Sequence, residues 1–155
     1  MVYFNRLTIF LCLIVCLLTD CTVLSADEFV TVKKREVVHK FVKMGGEWVD
    51  DFTAYLFKDW EEDTFDTFEM VADKNAIAID LGAWIGTTSI WLSKNFHYVL
   101  AVEPDRESVV FLGKNLQASG CDNVIICDKA IAETDGEVFF GPRPAISNSL
   151  NFSTS

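Results

Sequence analysis

An α/β fold built on a parallel sheet is predicted by three observations. Apolar segments of strand length alternate with segments of helical period between residues 76 and 127. The first of them, Ile77-Ala78-Ile79-Asp80-Leu81, runs directly into the turn Gly82-Ala83-Trp84-Ile85-Gly86, a spacing that leaves bare backbone at the start of a helix. Each of the three apolar segments also ends in an acid: Asp80, Glu103 and Asp128.

The N-terminus is apolar. Residues 7 to 18, Leu-Thr-Ile-Phe-Leu-Cys-Leu-Ile-Val-Cys-Leu-Leu, form one apolar run behind a single base, Arg6. Twelve residues fall short of the ~20 that span a bilayer and match the core of a secretory signal, with Val23 and Ser25 as small residues before a cut after Ser25. The expected division is a signal peptide or signal anchor over 1–25, a lead-in with a helix over 26–59, and a partial catalytic domain over 60–155. The lead-in breaks at Gly45-Gly46. Before the break, Val30, Val32, Val37, Val38, Phe41 and Val42 are compatible with a strand or a helix. From Glu47 to Met70, Trp48, Phe52, Tyr55, Leu56 and Trp60 recur at helical steps and are expected to pack, with a second short helix from Asp63-Thr64 carrying Phe65, Phe68 and Met70.

The alternation then tightens. Ala76 to Leu81 reads as a buried strand and Thr87 to Asn95 as a helix. Tyr98 to Val102 reads as a second strand. Asp105 is placed to cap a helix that reaches about Ala118, with Gly120 behind it. Val124 to Cys127 is the third strand, and 130 to 140 reads as a hairpin around Asp135-Gly136. Continuous apolar strands joined by helices imply a parallel sheet.

Composition excludes several classes. The net charge is −10 over 155 residues, and Arg6 cancels Asp20 in the leader. A general nucleic-acid binder needs a basic face, so nucleic acid is excluded as a partner. Docking on anionic headgroups is disfavoured too, which leaves the N-terminal segment as the membrane contact. Residues 47 to 73 hold ten acids and one base, Lys58, and read as a solvated helical face. Outside the leader only Cys121 and Cys127 remain, with ~20 Å between their Cα atoms if the intervening chain is extended. A disulfide needs less than ~7 Å. No Cys/His spacing resembles a metal site, and none is expected.

The candidate chemistry lies in the strand ends. A dinucleotide site would show Gly-x-Gly-x-x-Gly, whereas here Gly82 and Gly86 are separated by three residues and no third glycine is present. Asp-x-Gly-x-x-x-Gly suits a cofactor with an amino-acid tail, which Gly82 and Ala83 would let lie on backbone. Glu103, placed at the end of the second strand, can accept both ribose hydroxyls. Asp128 can accept from an adenine amino group. The competing reading is structural: two glycines that permit a tight turn, and Asp80 as a helix cap.

The segments Trp60-Glu61-Glu62-Asp63-Thr64-Phe65, Ile79-Asp80-Leu81-Gly82-Ala83-Trp84-Ile85-Gly86-Thr87-Thr88-Ser89, Ala101-Val102-Glu103-Pro104-Asp105, Asn115-Leu116, Ala130-Ile131 and Asn148-Ser149-Leu150 stand in an order and spacing that resemble the FkbM family of S-adenosylmethionine-dependent methyltransferases. The resemblance covers about residues 60 to 152. It implies a Rossmann-like class I methyltransferase fold, S-adenosyl-L-methionine as cofactor, and methyl transfer to a hydroxyl oxygen. By position, Asp80, Gly82, Ala83, Trp84 and Gly86 match the part that cradles the methionine tail. Glu103 matches the ribose carboxylate, and Asp128 with Ala130 the adenine side. Glu61 and Thr64 match a motif expected near the cofactor. The resemblance also implies a seven-stranded sheet, of which this chain carries three parallel strands and the hairpin. The strand that would pair with Ile77 to Leu81 is not among them, so an unpaired edge open to self-association is expected.

No residue is assigned as catalytic base, and His97 falls at the start of the second strand, away from the ligand edge. The leader implies the secretory pathway, where the acceptor is expected to be a glycan or a small metabolite. Asn151-Phe152-Ser153 is a glycosylation sequon that counts only in an exported chain. Two other functions stay open: a non-catalytic secreted or membrane-tethered remnant of the fold, and a nucleotide-binding oxidoreductase.

Overall fold

The computed structural model describes residues 27–134 and 136–137. The leader, its cut site, Asp135 and residues 138–140 of the expected hairpin, Asn148-Ser149-Leu150 and the sequon lie outside those residues, whereas 130–134 and 136–137 are described and form no strand. Among the described residues no helix is long and apolar enough to cross a membrane.

The lead-in resolves into an antiparallel hairpin, β1 (Phe29–Lys34) and β2 (Val37–Val42), with Lys34 opposite Val37. Arg35 takes a left-handed φ of 52° in its turn. The period-2 pattern is broken in the sequence because the inward positions include Lys34 and His39 beside Val32, Val37 and Phe41, and all five are buried. Lys34 tolerates burial because each ammonium proton finds an acceptor. Its Nζ donates to the Lys58 carbonyl at 3.2 Å, the Trp60 carbonyl at 2.6 Å and the Glu62 carboxylate, and it lies 4.5 Å from the Phe65 ring centre.

The helical stretch after Gly46 is not one helix. It runs as α1 (Glu47–Asp51), a π turn over Phe52–Leu56, a 3₁₀ turn over Phe57–Asp59, and α2 (Glu62–Val71). A π turn adds a residue to the repeat and rotates the next turn of chain about the helix axis. The expected apolar stripe therefore slips. Phe57, outside the stripe, is fully buried, whereas Trp48, Tyr55, Leu56 and Trp60 are exposed. Met70 of α2 also faces outward, and Phe65 is the buried residue of that helix. Three of the acids expected to be solvated instead clasp the hairpin turn: Arg35 pairs with Glu62 at 2.9 Å, Asp66 at 2.6 Å and Glu69 at 2.9 Å.

The predicted α/β unit forms as read. β3 (Ile77–Leu81), β4 (Tyr98–Val102) and β5 (Val124–Cys127) make a parallel sheet in the order β3-β4-β5. The crossovers are α3 (Thr87–Asn95) and α4 (Arg106–Ala118). Asp105 caps α4, its Oδ1 accepting from the Glu107 N–H at 3.3 Å. Val99, Ala101, Ile90, Leu112 and Leu116 are buried between the sheet and the helices. β2 packs on both helices in turn. Asn115, fully buried in α4, joins these layers: its Oδ1 accepts from Val42 N–H at 2.8 Å, and its Nδ2 donates to the Ile85 carbonyl at 2.8 Å.

One expectation about the sheet is corrected. β3 is not buried on both faces: Ile77, Ile79 and Leu81 alternate outward, and Ile79 is 62% exposed. Both crossover helices lie on the opposite face, so the Ile77-Ile79-Leu81 face, continued by Tyr98 and Ile125, carries no layer among the described residues. Among the described residues β3 pairs only with β4. Cys121 and Cys127 are free thiols, and Ser93 Oγ donates to Cys121 Sγ at 3.0 Å.

Candidate functional site

The three strand ends meet at one edge. Gly82 and Ala83 both donate their N–H groups to the Val102 carbonyl, at 2.9 and 3.0 Å, which folds the exit turn of β3 against the end of β4. The Glu103 N–H donates to the Cys127 carbonyl at 3.0 Å and ties β4 to the end of β5. Asp80 is opposite Ala101 in the register, Glu103 comes directly after the last residue of β4, and Asp128 directly after the last residue of β5. The acids are therefore neighbours on one rim.

The two glycines of the turn serve different needs. Gly86 sits at φ +92°, and a Cβ there would fall 2.9 Å from Leu112 Cδ1, so it allows α3 and α4 to approach. Gly82 sits at φ +79°, and a Cβ there would meet nothing within 4 Å. Its backbone is exposed and bare on the ligand edge. Between them, Trp84 holds a left-handed φ of 49°, a conformation a bulky residue keeps only when its surroundings impose it.

Glu103 supplies part of that constraint. Its carboxylate is buried, with Oε2 accepting from Trp84 N–H at 2.8 Å and Oε1 from Asp105 N–H at 2.9 Å. A carboxylate has about four acceptor positions, so one remains on each oxygen. Asp80 turns toward α3: its Oδ2 accepts from Thr88 Oγ1 at 2.7 Å and Ser89 Oγ at 2.5 Å. The brace fixes the helix start against β3, and negative charge there is favourable at a helix N-terminus. Asp128 is exposed on the rim and Ala130 is half-buried.

Thus Asp80, Gly82, Ala83, Trp84, Gly86, Glu103 and Asp128 come together, with Ala130 two residues beyond. Glu61 and Thr64 reach this edge only indirectly. Glu61 is the left-handed residue before α2, and its neighbour Trp60 meets Phe52, which meets Trp84. His97 is exposed at the opposite, amino end of β4. No group of three His, Cys, Asp or Glu side chains is arranged to hold a metal among the described residues.

Sequence reasoning gives no structural role to two buried polar residues. Asn115 anchors the Ile85 carbonyl of the turn, and its signal is a polar residue among Leu112 and Leu116 on the inward stripe. His39 is the other. It stacks on Phe41 at 5.8 Å and lies edge-on to Phe57 at 4.9 Å, with Nδ1 3.2 Å from the Val37 carbonyl. Burial pushes its pKa down to about 4, against the opposing pull of the Val37 and Thr87 carbonyls.

No protein-family model and no curated protein matches the chain. Solved structures do. An rRNA methylase from Streptococcus thermophilus aligns at 18% identity over 43% of this chain and 40% of its own, with a TM-score of 0.41. A candidate methyltransferase from Streptococcus mutans in complex with SAH aligns at 26% identity over 44% and 39%, with a TM-score of 0.43. TYW2 from M. jannaschii in complex with AdoMet aligns at 19% identity over 65% and 43%, with a TM-score of 0.43. The chain thus spans about two fifths of the length of these structures.

Proposed function

We propose that this chain carries the cofactor-binding part of an S-adenosylmethionine-dependent O-methyltransferase of FkbM type, acting on a hydroxyl of a glycan or small metabolite in the secretory pathway. One observation carries the reading: the buried Glu103 carboxylate, fixed by two backbone N–H groups, stands with unused acceptor positions between the bare Gly82 turn and the Asp128 rim. That arrangement fits an adenosyl group with an amino-acid tail. Glu103 would accept from the ribose hydroxyls and Asp128 from the adenine amino group. The Gly82-Ala83 backbone offers the methionyl portion close contact rather than donors, because both N–H groups already bind Val102.

When bound, S-adenosylmethionine supplies an electrophilic methyl group on a sulfonium centre. The chain's own contribution is orientation, and holding reactants in line is worth up to ~7–11 kcal/mol of barrier. Asp80 and Asn115 keep the turn in register by bracing α3 and the Ile85 carbonyl. The leader directs the chain to the secretory route, whether it is cut or retained over residues 7–18 as an anchor. The open edge of β3 pairs with a second copy when no other strand takes it.

Calorimetric titration of the purified chain with S-adenosylhomocysteine and NADH tests the reading. The homocysteine ligand should bind, and Glu103→Gln should weaken it about ten- to a hundredfold, the cost of losing hydrogen bonds to a charged acceptor. Tighter binding of NADH, or no response to the substitution, rejects it.

A further inference from the structure

The ligand edge carries a feature that cofactor binding does not use. Trp48, Tyr55, Leu56 and Trp60 stand exposed on the segment from α1 to the start of α2, and Trp48 is 66% exposed. Clustered exposure of large apolar side chains marks a binding surface. These rings are ordered. Trp48 stacks on Phe52 with centres 5.7 Å apart and planes 12° from parallel, and it lies 6.1 Å from Trp84. Phe52 lies 5.7 Å from Trp84 and meets Trp60 edge-on at 5.4 Å. Trp84 belongs to the cofactor turn, and its N–H is the one that Glu103 holds. A continuous series of ring contacts therefore leads from the strand tips to the open faces of Trp48 and Trp60.

The segment is held in place. Asp50 in α1 accepts from the N–H groups of Met44 at 2.8 Å and Gly45 at 3.1 Å. The π turn rotates Phe57 into the core and leaves the tryptophans outside. The rim is acidic. Glu47 and Asp51 are exposed on the helix that bears Trp48, and Asp59 and Glu61 flank Trp60. The single base of the stretch, Lys58, pairs with Asp59 at 3.5 Å. Such a rim repels phosphate and carboxylate groups and accepts hydrogen bonds from hydroxyls.

We infer that Trp48 and Trp60, backed by Phe52 and Trp84, form the acceptor platform for an uncharged sugar ring. The apolar ring face lies on the indoles, and the hydroxyls meet the rim carboxylates. This inference rests on the methyltransferase reading for the word acceptor, because the platform adjoins the turn assigned to the cofactor.

Indole N–H signals in two-dimensional NMR spectra of the chain provide the test. The probes are methyl glycosides of glucose, galactose, mannose and N-acetylglucosamine, with glucose 6-phosphate as the anionic control. At least one uncharged glycoside should shift the Trp48 and Trp60 signals and leave the buried Trp91 unmoved. Trp48→Ala should weaken that binding about tenfold, the equivalent of one lost ring contact, while S-adenosylhomocysteine still binds. The platform is overturned if no glycoside moves those signals, if Trp48→Ala leaves binding unchanged, or if glucose 6-phosphate binds better. Glycoside binding in a chain that fails to bind S-adenosylhomocysteine retains the sugar platform and overturns the methyltransferase reading.

Discussion

Replacing Asn115 with alanine should destabilise the chain by about 2–6 kcal/mol, because two buried backbone groups each lose their partner at ~1–3 kcal/mol. The partners are specific. Asn115 Oδ1 accepts from Val42 N–H at 2.8 Å, and Nδ2 donates to the Ile85 carbonyl at 2.8 Å. The side chain is fully buried, so water cannot replace either contact without opening the interface between β2 and α4. Urea denaturation of wild type and variant measures the loss. With a slope of ~1–3 kcal/mol per molar for a small domain, the midpoint should fall by at least about 0.7 M. Ser119 gives the contrast. Its Oγ also accepts from the hairpin, from Lys40 N–H at 3.0 Å, but at an exposed site, so Ser119→Ala should cost less than ~1 kcal/mol. If Asn115→Ala shifts the midpoint no more than Ser119→Ala, the bridge does not hold the hairpin to the parallel-sheet unit and the reasoning fails.

The two glycines of the turn should separate under substitution. Gly82→Ala should cost ~1–2 kcal/mol for its positive φ alone, whereas Gly86→Ala should cost ~1–3 kcal/mol more for the clash with Leu112; equal losses in thermal denaturation would contradict the geometry. His39 predicts an acid-labile fold. Its folded pKa near 4 lies below the ordinary 6.5, so stability is full above about pH 6.5 and falls by about 3 kcal/mol as the pH drops toward 4, because the unfolded chain takes the proton first. His39→Phe should flatten that segment of the stability profile, and an unchanged slope would refute the assignment. Lys34→Met should cost ~2–5 kcal/mol by orphaning the Lys58 and Trp60 carbonyls, and Glu62→Gln should cost less, since Glu62 is half-exposed; the reverse order in urea midpoints would show that the ion pair, not the carbonyl contacts, holds the buried ammonium.

The sequence is most legible where local signals agree. The β3-α3-β4-α4-β5 unit combines apolar strands, the Asp105 cap and glycines with positive φ, and its boundaries form within one residue of those read. The adjacency of Asp80, Glu103 and Asp128 comes from parallel topology alone. The lead-in is not legible because Lys34 and His39 occupy inward positions, and the Lys58 and Trp60 carbonyls that satisfy Lys34 are tertiary partners. The aromatic stripe misleads for a different reason. A π turn leaves no mark in a 3.6-residue period, so the period places Leu56 inside where Phe57 sits. Burial of β3 is overestimated because a uniformly apolar strand signals two apolar faces, and nothing local reports that only one has a covering layer among the described residues.

The central claim is that the ends of β3, β4 and β5 converge on one adenosyl group. Adding S-adenosylhomocysteine to the labelled chain and tracking every backbone amide tests it most directly. The account predicts that the amides of Gly82, Ala83, Trp84, Glu103, Asp105 and Asp128 shift together along one saturation curve. Shifts confined to one strand end, or centred on the amino end near His97, would contradict it.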